Sequence, residues 1–190
     1  MTGFAESVPP AHRAQLSQLA ALAVAVALAA AVVGWLLVHN GSDTQSPATP
    51  SGPALVSQTQ LEELGSSSAQ PIYWAGPRKG FSYELTRTAD GRTYVRYLPH
   101  GVAAGDRRAE FLAVGTYERP HAFSDLSRAG TRSGAGSVKL ARGGVLVLTE
   151  RRPHSAYFSY PSSSHQVEVF APSGTTARAL VLRGQITPIR

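Results

Sequence analysis

Hydrophobic residues are distributed unevenly along this chain of 190 residues. Residues 19–38 form an unbroken apolar run without a charge, whereas 39–54 are rich in Ser, Thr, Pro and Gly. After residue 54, apolar and polar positions alternate in short segments that Gly, Pro, Asp and Ser separate. The pattern predicts three parts: an apolar helix, a disordered linker over 39–54 and a folded domain over 55–190.

The apolar run has the length of a membrane-spanning helix. Its 20 residues, at about 1.5 Å each, reach about 30 Å, the thickness of a bilayer hydrocarbon core. Trp35 lies near its end, where an indole ring can sit among lipid headgroups. A cleaved signal peptide is the alternative, but its apolar segment would be shorter, and no small-x-small cleavage site follows Trp35. We therefore predict a transmembrane helix over 16–38 and a short cytoplasmic tail over 1–15.

Flanking charge predicts the orientation of this helix. Arg13 and the amino terminus precede it, whereas no Lys or Arg follows it before Arg78. By the positive-inside rule, the amino terminus lies in the cytoplasm and the single-pass helix anchors residues 55–190 outside the plasma membrane. The linker is short enough to hold the domain near the membrane surface.

The alternation over 55–190 predicts an α+β domain, an antiparallel sheet of hairpins with two or three short helices. The clearest hairpin runs from Phe81 to Leu98 around the three-residue loop 89–91. This loop length places apolar residues opposite each other on one face and opposite charges on the other. The pairs that it predicts are Leu85–Val95, Tyr83–Tyr97, Thr86–Tyr94 and Glu84–Arg96.

The other elements follow from turn and capping signals. Further hairpins are predicted at 137–149 and 156–170, and single strands at 71–75, 111–117 and 185–189. Residues 145–148 are apolar on both faces, which predicts a covered strand. Helices are predicted from a capping box at Ser57 to Gly65, from Pro120 in a first turn to Gly130 or Gly134, and over 175–182 before Gly184.

The net charge of the chain limits the kinds of partner that we expect it to bind. The chain has 18 Lys and Arg against 12 Asp and Glu, a formal net charge of +6. Residues 1–54 hold one Arg and two acids, so the excess positive charge belongs to 55–190. Nearly all the basic residues are Arg, which suits bidentate anion binding, although a GC-rich genome gives the same bias. Outside the cytoplasm we expect anionic lipid headgroups, wall polymers or an envelope protein as partners, and no nucleic acid.

Residues that carry chemistry form no recognisable motif. Cysteine is absent from the sequence, which excludes disulfides, thiol nucleophiles and Cys-ligated metals. The sequence contains no G-x-S-x-G, and the Gly-rich segment 130–139 lacks the Gly-Lys-Ser/Thr of a phosphate loop. Four histidines, without the spacing of metal ligands, are interpreted as surface or turn residues: His100, His121, His154 and His165. We assign no catalytic, metal-binding or cofactor-binding residue and expect no cofactor.

Aromatic and basic residues are the more informative set. All seven Tyr lie after residue 54, Tyr73-Trp74 shortly precedes Arg78-Lys79, and Arg pairs at 107–108 and 151–152 lie in predicted loops. Two interpretations stay open. The aromatic rings fill the core while the arginines are solvated, or both form a surface that stacks on sugar or peptide and binds anions.

Several segments resemble a group of uncharacterised single-span actinobacterial membrane proteins. The likeness is carried by 71–77 (PIYWAGP), 83–88 (YELTRT), 90–99 (DGRTYVRYLP), 114–117 (VGTY) and 166–169 (QVEV). It extends over most of 55–190. The resemblance implies a membrane location and an extracytoplasmic α+β domain, but no activity and no site.

Two functions are compatible with these features. The first is a membrane-anchored extracytoplasmic interaction domain, which would expose a patch of Tyr, Trp and Arg and scatter its acids. The alternative is a cell-envelope hydrolase or transferase with a site assembled across loops. Such an enzyme would gather, in one pocket, two or more of Glu84, Asp106, Glu110, His121, Asp125 and His154.

The predicted orientation can be tested on intact spheroplasts. Because the charge asymmetry places residues 55–190 outside, added protease should remove a carboxy-terminal tag and leave an amino-terminal tag protected. Immunoblotting follows the two tags, and lysed spheroplasts control for protease activity. Full protection of the carboxy-terminal tag in intact spheroplasts would overturn the orientation.

Overall fold

Antiparallel strands dominate the computed structural model, which describes residues 52–189. Ten strands, three helices and a 3-10 turn at Ala141–Gly143 lie within that range. In chain order they are β1 (Ala54–Val56), α1 (Gln58–Ser67), β2 (Tyr73–Trp74), β3 (Phe81–Arg87), β4 (Thr93–Pro99), β5 (Ala113–Glu118), α2 (Ala122–Ala129), β6 (Ala135–Lys139), β7 (Val145–Thr149), β8 (Ser155–Ser159), β9 (His165–Phe170), α3 (Gly174–Leu182) and β10 (Thr187–Pro188). The predicted α+β class is confirmed.

Eight strands form one antiparallel sheet in the order β1-β3-β4-β5-β9-β8-β7-β6. β2 and β10 pair separately as a short antiparallel ribbon. Within the large sheet, β6 to β9 form a meander whose last strand lies beside β5. The sheet therefore consists of two four-stranded halves that the β5–β9 pair joins.

The inner face of the large sheet packs against α1, α3 and the β2–β10 ribbon. α1 contributes Leu61 and Leu64 to this core, and α3 contributes Ala177, Leu180 and Val181. Both halves of the sheet supply buried side chains, including Leu85, Val95, Val114, Leu146, Phe158 and Val169. The main core is therefore continuous across the β5–β9 pair.

The opposite, outer face is covered only in part. At one end Leu126 of α2 packs on Val145 and Val147 of β7. Since Leu146 belongs to the inner core, β7 is covered on both faces, as its apolar pattern predicts. At the other end the loop 100–112 lies over β3 and β4, because Gly105 donates a hydrogen bond to Glu84 and Arg96 donates to the Asp106 carbonyl.

The β3–β4 hairpin has the predicted register at every predicted pair. The amide of Gly91 donates to the Thr88 carbonyl, and Gly91 has φ +79°, the left-handed conformation that this loop requires. The hairpins β6–β7 and β8–β9 are also confirmed, although β6 and β8 begin slightly earlier than predicted. Local turn chemistry was therefore a sufficient guide to these pairings.

Some predicted boundaries were wrong. Ser57 caps α1 with a complete capping box, but Gly65 does not end the helix, which continues to Ser67. Gly65 is instead a close-approach position, since an added Cβ would lie 2.5 Å from the Ile189 side chain. Pro120 precedes α2 rather than lying in its first turn, and Ala54, assigned to the linker, begins β1. The single strands at 71–75, 111–117 and 185–189 exist as the shorter or shifted β2, β5 and β10.

The predicted tail, transmembrane helix and all but the last residues of the linker lie outside the described residues. Among residues 52–189, no helix is both long enough and apolar enough to cross a membrane.

The buried Glu84–Arg96 pair should matter far more to stability than an exposed pair. Arg96 Nη1 lies 2.7 Å from Glu84 Oε1, and the Glu84 side chain is 1% exposed. Arg96→Ala leaves that carboxylate buried without its ion-pair partner. The free energy of unfolding should therefore fall by about 3–5 kcal/mol. The matched control Arg128→Ala breaks the exposed pair with Asp125 and should cost about 0–1 kcal/mol.

Urea unfolding of the detergent-solubilised chain, followed by circular dichroism, measures both variants. Equal losses in the free energy of unfolding would show that the Glu84–Arg96 pair does not anchor the loop 100–112.

Candidate binding cleft

The part of the outer face that neither α2 nor the loop 100–112 covers lies over the junction of the two half-sheets. Directly opposed residues form a row across four strands there: Tyr94 of β4, Gly115 of β5, Glu168 of β9 and Tyr157 of β8. Opposed residues on one face of a sheet have neighbouring Cβ atoms, so their side chains interact. In this row Tyr94 and Glu168 flank Gly115, and Tyr157 lies on the far side of Glu168.

Gly115 is the low point of this row. An added Cβ would lie 2.9 Å from the Tyr117 hydroxyl oxygen, closer than real Cβ contacts, and 3.1 Å from the Tyr94 ring, which is also an unusually tight approach. The rings of Tyr94 and Tyr117 meet edge to face, with centroids 5.8 Å apart. A glycine at 115 is therefore what lets both rings occupy the space over β5.

The Glu168 carboxylate is the hydrogen-bonding centre of the cluster. It accepts hydrogen bonds from the hydroxyls of Ser155 (2.8 Å), Tyr157 (2.9 Å) and Tyr117 (2.5 Å). Its side chain is only 15% exposed, and Arg152 Nη1 lies 3.9 Å from Oε1. A half-buried carboxylate is thus held chiefly by neutral hydroxyl donors, with one arginine at its edge.

Except for Tyr157, which lies behind Glu168 in this row, these groups line a cavity of about 430 Å³, which we call the tyrosine cleft. Its floor is small and apolar at Ala113 and Gly115, and its rim carries the exposed residues Arg151 and Arg152. The complete lining is Tyr94, Ala113, Gly115, Tyr117, Arg151, Arg152, Pro153, His154, Ser155, Glu168 and Phe170. This volume lies in the range of small-molecule sites.

The environment changes the ionisation of the tyrosines. Burial raises the pKa of Tyr117 far above its ordinary value, and the negative charge and hydrogen bond of Glu168 raise it further. The pKa of Tyr157 is also raised, first by burial and then by Glu168. Both side chains therefore stay protonated at neutral pH and act as hydrogen-bond donors rather than as bases or nucleophiles.

A second, wider cavity of about 820 Å³ lies beside the amino-terminal end of α3. It shares Pro153, His154 and Ser155 with the tyrosine cleft. Its other polar side chains form no side-chain hydrogen bonds with one another in the described domain: Thr149, Glu150, Ser173, Thr175 and Arg178. The polar groups of the smaller cavity do converge, so the tyrosine cleft is the better candidate site.

The six residues considered for an enzyme do not come together in either cavity. Only His154 lines the two cavities. Arg108 binds Asp106 and Glu110 through salt bridges in the loop 100–112, and its hydrogen bonds lower the pKa of Asp106. The remaining three are Glu84, buried against Arg96, Asp125, paired with Arg128, and His121, exposed at the start of α2.

Some of the aromatic residues fill the core, and others lie on the surface of the outer face. Trp74 is buried in the inner core, edge to face with Tyr83 at 5.9 Å, so Tyr73-Trp74 is no surface patch. Tyr97 is also buried, where it accepts from the Ala75 amide and donates to the Gly76 carbonyl. The tyrosines of the outer face, in contrast, are only half-buried: Tyr94, Tyr117 and Tyr157.

Of the other histidines, His100 is an exposed residue that contacts Ser82, and His165 begins β9. No group of three or more His, Asp or Glu within residues 52–189 is arranged to hold a metal ion. No family model, curated protein or solved structure matches this chain. The resemblance to single-span actinobacterial membrane proteins therefore stays a prediction.

Alkaline titration of the folded protein should show late ionisation of the tyrosines that bind Glu168. Tyrosines in the unfolded chain titrate near pH 10, whereas Tyr117 and Tyr157 keep their protons to higher pH in the folded domain. The folded state then binds more protons, so the contribution of these tyrosines to the free energy of unfolding should be constant below about pH 10 and fall above it. Glu168→Gln removes the charge and should shift tyrosine ionisation to lower pH, whereas the exposed control Glu63→Gln should not.

Tyrosinate absorbance measures this ionisation. Identical titration curves for the wild type and Glu168→Gln would mean that Glu168 does not influence the tyrosines.

Proposed function

We propose that this chain is a membrane-anchored, extracytoplasmic binding protein and that the tyrosine cleft is its recognition site. The anchor and its orientation are supported by the sequence: an apolar run of 20 residues, preceded by Arg13. The partner is an envelope component, because residues 55–190 would be confined near the outer surface of the membrane.

One observation carries the assignment of the site. A half-buried carboxylate, three hydroxyls and two facing aromatic rings converge at an uncovered part of the sheet, beside two exposed arginines. Concave, partly apolar surfaces with a few convergent polar groups are typical of ligand sites. Nothing in the packing of the inner core requires this arrangement, since the core lies on the other face of the sheet.

The same groups favour binding over catalysis. Glu168 is the one carboxylate that lines the tyrosine cleft within residues 52–189, and three hydroxyls already donate to it. General acid–base catalysis by a carboxylate pair would need a second acid within reach. The raised pKa values of Tyr117 and Tyr157 keep both hydroxyls neutral, which suits a fixed hydrogen-bonding surface.

Affinity capture from the native envelope tests this proposal. The full chain, with a carboxy-terminal tag, is purified in detergent, and its co-purifying proteins and polymers are identified. Tyr94→Ala removes a ring from the cleft and should weaken capture by about 1 kcal/mol, roughly fivefold in affinity. Tyr160→Ala is the matched control, because Tyr160 is half-buried against the inner core.

Circular dichroism should show that both variants are folded. Capture that is equal in Tyr94→Ala and in the wild type would mean that the tyrosine cleft is not the recognition site.

A further inference from the structure

The hydrogen-bonding character of the tyrosine cleft points to a ligand class. We infer that the tyrosine cleft binds an acidic saccharide, a sugar ring that carries a carboxylate or a phosphate. This inference rests on the proposed function and specifies the ligand of the same site.

The hydrogen-bonding network around Glu168 offers a ligand acceptors rather than donors. An ionised carboxylate offers about four acceptor sites. Three hydroxyls occupy three of those on Glu168: Ser155, Tyr157 and Tyr117. Because each of these hydroxyls donates its one hydrogen to Glu168, it can only accept a hydrogen bond from a ligand. A ligand that binds to this network must therefore supply donors, as the hydroxyls of a sugar do.

The rim of the cleft has the opposite character. Arg151 and Arg152 are exposed at the edge of the cavity, and guanidinium groups only donate. Arg151 has no acidic partner within 4.0 Å among the described residues, and Arg152 lies 3.9 Å from a carboxylate that three hydroxyls already hold. Two adjacent, exposed arginines match a carboxylate or phosphate on the ligand.

The walls and floor suit a ring. Tyr94, Tyr117 and Phe170 supply half-buried aromatic surface, on which the C–H faces of a sugar can pack. The small residue Ala113 lines the cleft beside these rings. A bare anion such as phosphate would use the rim but neither the aromatic walls nor the acceptors of the base.

A lipid bilayer is a poorer match than a saccharide. Binding to a membrane surface would be helped by large apolar side chains that protrude beside the arginines. The exposed large apolar residues of the described domain are Leu55 on β1 and Leu182 on α3, and neither lines the tyrosine cleft. The concave shape and half-buried acceptors also favour a discrete ligand over a flat surface.

Calorimetric titration of the full chain, in a detergent whose headgroup is not a sugar, tests the inference. The acidic probe is a hyaluronan oligosaccharide, in which glucuronate alternates with N-acetylglucosamine, and the neutral probe is a chitin oligosaccharide of equal length. Inorganic phosphate and glycerol 1-phosphate represent a bare anion and a lipid headgroup. We expect the acidic oligosaccharide to bind most tightly, with an affinity that falls as salt rises.

Variants locate the binding. The double variant Arg151→Ala with Arg152→Ala removes both rim arginines. Its affinity for the acidic oligosaccharide should be lower by about tenfold or more. The control Lys79→Ala with Arg183→Ala removes the same charge from exposed positions outside the cleft and should change affinity less than about twofold.

Three results would overturn the inference: no saccharide binds, the neutral probe binds as well as the acidic one, or the two double variants lose equal affinity. Tighter binding of glycerol 1-phosphate than of the acidic oligosaccharide would also overturn it and assign the rim to lipid headgroups. If Tyr94→Ala still weakens envelope capture in any of these cases, the proposed function stands and only the ligand class is wrong. If capture is independent of Tyr94, the proposed function itself fails.

Discussion

Pairing between β5 and β9 is the constraint on which both the core and the tyrosine cleft depend. It runs from Ala113 opposite Phe170 to Glu118 opposite His165, and about fifty residues of chain separate the two strands. On the inner face it brings Val114 against Val169, which makes one core from two half-sheets. On the outer face it places Gly115 against Glu168. Closing so long a loop is entropically costly, so the buried apolar contacts across this pair must offset it.

The tyrosine cleft lies open because α2 and the loop 100–112 cover the outer face on either side of the β5–β9 junction but not over the junction itself. Apolar packing of Leu126 on Val145 and Val147 holds α2 at one flank. At the other flank, the buried pair between Glu84 and Arg96 holds the loop 100–112. An uncovered strip of an antiparallel sheet can be polar, because its other face already supplies the hydrophobic burial. The strip is therefore free to carry Tyr94, Glu168 and Tyr157, which would be poor core residues.

Local features of the fold could be predicted from the sequence, and non-local ones could not. The loop 89–91 determines the β3–β4 register through short-range geometry, and Gly184 ends α3 at φ +66° as helix-capping rules require. In contrast, a glycine at position 65 is typical of a helix end, but the helix continues past it. Glycine is needed there because the side chain of Ile189, more than 120 residues away in the sequence, leaves no space for a Cβ atom. The cleft belongs to this second kind, since its row combines the β3–β4 hairpin, the single strand β5 and the β8–β9 hairpin. A usable signal was present, however: Tyr94, Tyr117, Tyr157 and Glu168 all occupy the polar positions of alternating strands.

The chemistry of the cleft follows from the order in which its groups compete for protons. Burial raises the pKa of Tyr117 and Tyr157, and the neighbouring Glu168 raises it further, so both hydroxyls keep their hydrogens. The hydroxyls then point their hydrogens inward and leave only acceptors for a ligand. Arg151 and Arg152 cannot lose their protons at any physiological pH, so the rim stays a pure donor. The cleft thereby keeps acceptors at its base and donors at its rim, and this separation selects a ligand with hydroxyl groups at one end and an anionic group at the other.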